Sequence, residues 1–429
     1  MFGFANFLLL ALFAAAVFDL IFALARGSGL RGALHGLWNT PHLLFGQQLA
    51  EWRLQLGRIL FAAGLAAYEI SVVFCNSMAR QNWAWVQGVM SPVLEWLAFL
   101  CFGAKILFGT RYTWRELLAG GALYFIARWV YFNSQNIWWI GIVMAVLAAK
   151  DVPLRRPLQV YFASGCAAMA VVLALHFAGI VAPDLTSERM GALRGTYGYG
   201  HPNTFGGLVF GLVLAYALLR AQKVRWVDYL LVFAVGVFLL VGPASRSAAL
   251  CTLALAVGLV FCRLRAGHSV PRWWPGTCAG MVGLTAAVSY LLPLLVIKVG
   301  PWNNDIGPAW LAKLDSLLTC RISLTWMAYR LLDVKIAGQV FNWPTVDNSF
   351  AFALFQFGPV VAALLGILFA AALLGHAKQG RRVEVCCLFA MLAYAYMEVQ
   401  PFHLTTNPTA LLLCGAVFAQ TSARWQKIE

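Results

Sequence analysis

Charge is scarce in this chain. Only 11% of its 429 residues are charged, against about a quarter in ordinary soluble domains, and that shortage excludes a typical soluble fold. Acids are the scarcer sign, 16 against 31 bases. The ten cysteines contain no C-x-x-C spacing, which argues against a zinc site or a disulfide framework. Most of them lie inside apolar runs, where cysteine serves as a small core residue; Cys320 falls in a loop and has no evident partner. The sequence shows no internal repeat, no low-complexity run and no soluble domain, so residues 1–429 read as a single integral membrane domain.

What fills the chain instead is hydrophobic sequence, 62% of all residues. Apolar runs recur along the whole length, and crossing the hydrocarbon core takes roughly 20 helical residues. A spanning barrel would alternate apolar and polar residues. The pattern predicts an all-α polytopic membrane protein with about 12–13 transmembrane helices, at 4–25, 59–76, 88–109, 117–133, 136–149, 157–182, 203–219, 227–242, 247–262, 277–297, 350–375, 383–399 and 406–421. The first run is interrupted by Asp19 and reads as a span, an interfacial helix or an uncleaved signal-anchor.

The net charge of +15 does not point to nucleic acid. Twenty of the 31 Lys and Arg fall on alternating loops, including Arg53 and Arg58, Arg111 and Arg115, Lys150 and Arg155, Arg220 and Arg225, Arg263 and Arg265, and Lys378, Arg381 and Arg382. Such loops are cytoplasmic by the positive-inside rule. The outward segments are then 77–87, 132–136, 183–202, 242–247, a long loop at 298–349, and 398–408. The long loop is helical in composition, with a break near Thr319 to Arg321. Its helices are expected to lie against the membrane surface or to cap the bundle.

Arginines in short outward loops are exceptions to that rule. Arg194, Arg246 and Arg321 stand beside unusual motifs. A guanidinium grips phosphate oxygens through two parallel hydrogen bonds, though snorkelling to lipid headgroups is the plainer alternative. The stretch "RGTYGYGHPNTFGG" (194–207) is glycine-rich between two apolar runs. Its glycines permit positive φ and close approach of a ligand. Pro202 favours a helix start, which puts His201 at the cap and free N–H groups toward any anion. Asp347 and Glu398 lie at the mouths of spans, where burial raises a carboxylate pKa; a hydrogen-bonded cap is the alternative role. Glu69, Glu95, Lys105 and Arg128 lie within spans and need partners, as structural pairs or as a transport path.

These motifs carry a resemblance. "RGTYGYGHPN" resembles the R-x-x-x-G-[FY]-G-H-P-N segment of bacterial polysaccharide-repeat polymerases, the Wzy-type members of the O-antigen ligase/polymerase superfamily. In order along 190–420, "GPASRSAAL" resembles that family's S-R-[ST] turn, "RISLTWMAYRLL" its R-x-x-x-W stretch (with Trp326 five residues on), "VDNSFAFALFQFG" its D-N-S-[YF] segment, and "EVQPFHLTTNPTALLL" its closing E-x…N-x-x-x-L-L segment. The ligases of the superfamily usually carry H-x-H-N where this chain has "TVDN", with Asp347 in place of the second His.

The resemblance implies a GT-C-like bundle in the bacterial inner membrane, with its active site on the extracytoplasmic side. It implies polymerisation of undecaprenyl-pyrophosphate-linked oligosaccharide repeats into O-antigen or exopolysaccharide; the outward acids lack the spacing of a divalent site, so neither metal nor cofactor is expected. Asp347, Glu398 or His201 would be the catalytic base, and Arg194, Arg246, Arg321, Asn203, Asn348 and Tyr199 would contact substrate. The implied partners are the lipid-linked oligosaccharide, the lipid bilayer, a chain-length regulator and a flippase. A ligase, or a transporter built on Glu95, Lys105 and Arg128, are the alternative functions. The transporter would call for an internal repeat, and none is seen.

Overall fold

A computed structural model describes residues 42–43, 50–181, 187–189, 192–221, 223–297 and 307–418. The candidate span at 4–25, together with Asp184, Lys298, Asp305, Arg424 and Lys427, lies outside the described residues.

The described chain is a helical bundle. Its principal helices are α1 (Ala50–Cys75), α2 (Ser91–Phe108), α3 (Trp114–Ser134), α4 (Ile137–Ala148), α5 (Arg155–Phe177), α6 (Pro202–Arg220), α7 (Trp226–Val241), α8 (Arg246–Leu264), α9 (Trp274–Leu291), α10 (Ala309–Leu317), α11 (Arg321–Leu331), α12 (Ser349–Phe352), α13 (Pro359–Lys378) and α14 (Arg382–Met397). Two short antiparallel ladders accompany them: His42–Leu43 with Arg111–Tyr112, and Ser187–Arg189 with Ala192–Arg194. Among the described residues seven helices are long and apolar enough to cross a membrane, so this is a multi-pass membrane protein embedded in a lipid bilayer.

Helix limits follow local chemistry. Thr113 and Glu116 form a capping box at the start of α3, which satisfies two otherwise orphaned N–H groups. The Asn136 side chain accepts from Trp138 N at 2.9 Å to open α4, after a left-handed Gln135 has closed α3. α1 packs along α2 and α5, α7 along α8, α8 along α14, and α9 along α13.

About 12–13 spans were expected, and the seven long apolar helices correspond to the runs at 59–76, 88–109, 157–182, 203–219, 247–262, 277–297 and 350–375; three apolar runs depart most clearly from single spans. The run at 136–149 gives a helix of 12 residues, about 18 Å long. Nine of its residues, from Trp139 to Ala148, are buried, so it is a core helix wrapped by others. The run at 350–375 is broken at Gly358, whose φ of 87° and ψ of 166° suit glycine alone. The run at 406–421 opens as a buried 3-10 helix, Pro408–Leu413, followed by one short α-turn, Cys414–Val417.

The helix directions sort the basic loops onto one end of the bundle. There Arg53 Nε donates to Phe108 O at 3.0 Å and Arg263 donates to Val224 O at 2.9 Å. Lys150 pairs with Glu116 and Asp151 at 3.2 Å each. Lys105, expected to need a partner, donates to Thr110 Oγ1 at 2.5 Å and to Lys150 O at 2.7 Å. The motif segments converge at the opposite end; α6 alone, with 19 residues, separates the two by about 28 Å.

Candidate functional site

The ladder Ser187–Arg189/Ala192–Arg194 delivers Arg194 to the head of α6. Between them the chain turns through Tyr197 (φ 51°) and Gly198 (φ 81°). A Cβ on Gly198 would stand 3.0 Å from the Cβ of His176, so both space and conformation call for glycine there. His201 caps α6: its Nδ1 accepts from Asn203 N at 3.1 Å, and Pro202 occupies the first turn. Asn203 is thereby held in that first turn.

Arg194, 6% exposed, staples the 242–245 turn onto α6. Its Nη2 donates to Asn203 Oδ1 at 2.8 Å and to Ala244 O at 3.2 Å, and its Nε donates to Pro243 O at 3.4 Å. The turn sits tight against the helix: a Cβ built on Gly206 would lie 2.3 Å from Ser245 Oγ. That turn starts α8, so Arg246 and Ser247 fall in its first turn.

The long loop brings in Arg321 by a hairpin of α10 and α11. Buried Asp315 on α10 accepts from Ile322 N at 2.8 Å, Ser323 N at 3.2 Å and Ser323 Oγ at 2.8 Å. A carboxylate there satisfies orphan donors and suits the helix dipole. Thr319 and Cys320 make the turn in left-handed conformations. Arg321 then spends every guanidinium N–H within the protein. Nε donates to Met397 O. Nη1 donates to Leu318 O at 2.8 Å and Thr319 Oγ1 at 2.6 Å. Nη2 donates to Ser247 Oγ at 3.3 Å and Glu398 Oε1 at 2.5 Å.

Glu398 is the hub. It lies just past the last residue of α14, in the 398–408 loop, and is 4% exposed. Its Oε1 accepts from Asn203 Nδ2 at 3.0 Å, Ser247 Oγ at 2.9 Å and Arg321 Nη2. Its backbone carbonyl accepts from Ser349 Oγ at 2.6 Å. None of these hydrogen bonds uses Oε2. Burial pushes the Glu398 carboxyl up to about 6, against the pull of Arg321, and the negative charge of Asp347 adds to the rise. A carboxylate oriented through one oxygen is chemically able to take a proton on the other.

Of the remaining expected site residues, Asp347 and Asn348 stand beside this hub, whereas Tyr199 packs in a separate apolar cluster with Val73 and Phe205. Asn348 caps α12, accepting from Phe350 N and Ala351 N, and donates to Ser289 Oγ at 3.0 Å. Asp347 is half-buried, and His201 and Arg246 are exposed. Tyr199 is fully buried with its ring 5.6 Å from that of Phe205, and its hydroxyl has no hydrogen-bond partner among the described residues. Trp326 packs beside Val296, Leu311 and Ile322, with Arg330 over its ring at 5.3 Å. Ser247 and Ser349 escape a reading of sequence alone, and Asp315 is visible there only as one of several outward acids. The two serines lie inside the motif segments, and only their position beside an arginine and an asparagine marks them.

The chain matches no family model, no curated protein and no solved structure.

Proposed function

We propose that this protein polymerises lipid-linked oligosaccharide repeats by glycosyl transfer at the bundle end that holds Glu398. One observation carries the reading. The five segments singled out by resemblance, distant in sequence, meet in one buried network: Arg194 with Asn203, Ser247, Arg321, Ser349 and Glu398. Three of the segments donate to one carboxylate oxygen through Asn203, Ser247 and Arg321, and a fourth donates through Ser349 to the backbone carbonyl of the same residue.

In the proposed reaction a hydroxyl on the incoming repeat attacks C1 of the donor's reducing-end sugar. The new C1–O bond forms as the C1–O(phosphate) bond breaks. The bonding pair leaves with undecaprenyl pyrophosphate, and the hydroxyl proton passes to Glu398 Oε2 and then to water. Glu398 is favoured over Asp347 and His201 because three donors fix its other oxygen. Arg246, exposed at the head of α8, meets the pyrophosphate. Arg194 and Arg321, whose donors are turned inward, hold the loops and contribute positive potential. Positioning and electrostatic stabilisation are the main terms such a transfer requires. The donor sits in the outer face of the inner membrane in this reading, and a flippase and a chain-length regulator act before and beside it.

The test is a purified protein in proteoliposomes with a synthetic undecaprenyl-pyrophosphate repeat and EDTA. A ladder of longer lipid-linked glycans is expected from the wild type and none from Glu398→Gln. A folded wild-type protein that leaves the single repeat untouched removes the proposal.

A further inference from the structure

The hairpin of α10 and α11 has one face still uncovered. α11 is the capping half: Arg321, Ile322, Ser323, Thr325 and Ala328 are all buried. α10 is different. Leu311 is buried against Val296 and Ile322, with Leu314 and Leu318 packed beside them. That seals one side of α10 to the segment that follows α9. On another side, Trp310 is 55% and Leu317 71% exposed. These two are seven residues apart and so share a stripe on the helix.

We infer that this stripe of α10 is seated in the lipid bilayer, as an interfacial helix continuous with the lipid-facing wall of α9. Continuity is the first argument. α9 is among the least enclosed of the apolar helices. Its exposed face runs on through Leu291, Leu294 and Ile297, at 60%, 60% and 74%. Val296, the chain neighbour of Ile297, is buried with Leu311 of α10 and Ile322 of α11, so this exposed strip adjoins the hairpin core. Chemistry is the second argument. Tryptophan favours the headgroup boundary, and exposed Lys313 flanks the stripe, where a lysine stem lies along apolar surface and its ammonium meets lipid phosphate. A short amphipathic helix with these residues lies in the plane of the interface. Leaving Trp310 and Leu317 in water would forgo the gain from removing two large apolar side chains from it.

Seating α10 also sets a depth. Asp315 ties it to the first residues of α11, so Arg321 and its partner Glu398 are held near the lipid headgroups. The inference stands on exposure and continuity, independently of any catalytic activity.

The experiment places a photoreactive benzoylphenylalanine at Trp310, at Leu317 or at Ser316. Ser316 is also exposed but points about 120° around the helix from Trp310. Each variant is reconstituted in phosphatidylethanolamine–phosphatidylglycerol vesicles, checked for a monodisperse elution profile, irradiated and analysed by mass spectrometry. Phospholipid adducts at 310 and 317, and not at 316, are expected. Equal adducts at all three positions, cross-links to a second copy of the chain, or no lipid adduct at 310 and 317 would each overturn the inference.

Discussion

Arg321 Nη2 stands 2.5 Å from Glu398 Oε1, though 77 positions separate the two in sequence. Both side chains are 6% exposed. Desolvation makes an ion pair so placed costly to build and more costly to halve. Ser247 and Asn203 share its negative end, and backbone carbonyls share its positive end.

Removing one member of the pair should therefore damage the fold as well as the chemistry. Arg321→Gln is expected to cost about 3–5 kcal/mol, the usual penalty for an uncompensated buried charge. Replacing both, as Arg321→Met with Glu398→Leu, should recover much of that stability and none of the activity. Thermal unfolding in detergent, read beside polymer synthesis, separates the two effects. Equal unfolding temperatures for Arg321→Gln and wild type would mean that the pair is dispensable to the fold.

Activity should fall as pH drops through about 6, where Glu398 takes up a proton. The sign follows from its role: a protonated carboxyl cannot accept the hydroxyl proton, so turnover is present above that pH and lost below it. Asn203→Asp puts a second carboxylate where Asn203 Nδ2 now lies 3.0 Å from Glu398 Oε1. Like charges at that distance resist ionising together, so the acid limb should move to higher pH. Initial rates of chain extension across pH 4.5 to 9 (about the working range of general-base chemistry) give the comparison. A limb that stays put in Asn203→Asp would take Glu398 out of the proton-transfer step.

Arg246 offers a different contrast. It is exposed, and surface substitutions usually change stability by less than about 0.5 kcal/mol. Arg246→Ala and Arg246→Lys should both leave the unfolding temperature close to wild type. Both should also lose turnover by roughly a hundred- to a thousandfold, by analogy with removing one oxyanion donor, because an ammonium lacks the two-pronged grip. Full-length polymer from Arg246→Lys, at matched protein level, would mark the residue as a headgroup contact.

The contact of α6 with the Ser245 turn is testable without an activity assay. A methyl group on Gly206 would fall 2.6 Å from Ser245 Cβ and 3.3 Å from Ala248 Cβ. Overpacking of this kind costs typically about 1–3 kcal/mol. Gly206→Ala should lower the unfolding temperature, whereas Gly366→Ala, with nothing within 4 Å of its added Cβ, should not. Matching temperatures for the two variants would mean that the turn yields freely.

Much of the bundle could be read from the distribution of apolar runs, because a membrane helix announces itself by length. α6 was expected at 203–219 and runs Pro202–Arg220; His201 was expected at its cap and accepts from Asn203 N. The break in the long loop also falls where the composition put it, at 318–320 between α10 and α11. Other features were hidden for physical reasons. An apolar run looks the same whether lipid or protein surrounds it, so the enclosure of α4 was invisible. Gly358–Pro359 carried a signal for the broken helix, since glycine adopts positive φ and proline opens the next helix. Of the three glycines expected to turn the 194–200 segment, only Gly198 has positive φ, and Tyr197 shares the task. The arginines stood out as positive charge in the wrong loops. Nothing in a sequence says which acceptors a guanidinium will find, so the inward use of Arg194 and Arg321 emerged only in three dimensions. The serines were harder still, because hydroxyls are common and their partners are not written beside them.

Arg321 has no vacancy. All five of its N–H groups are already engaged, so an anion gains direct contact only by exchange, with an internal acceptor released as the newcomer arrives. Ser247 Oγ, the longest of its contacts at 3.3 Å, is the natural one to yield, and it keeps its own bond to Glu398 at 2.9 Å. What an exchange of this kind senses is the difference between two acceptors, not the strength of either. A singly charged headgroup offers little over what is displaced, while a species with several negative oxygens offers more. A cation wired in this way would pass over the many weak anions that crowd a membrane surface, and would do so without a closed door.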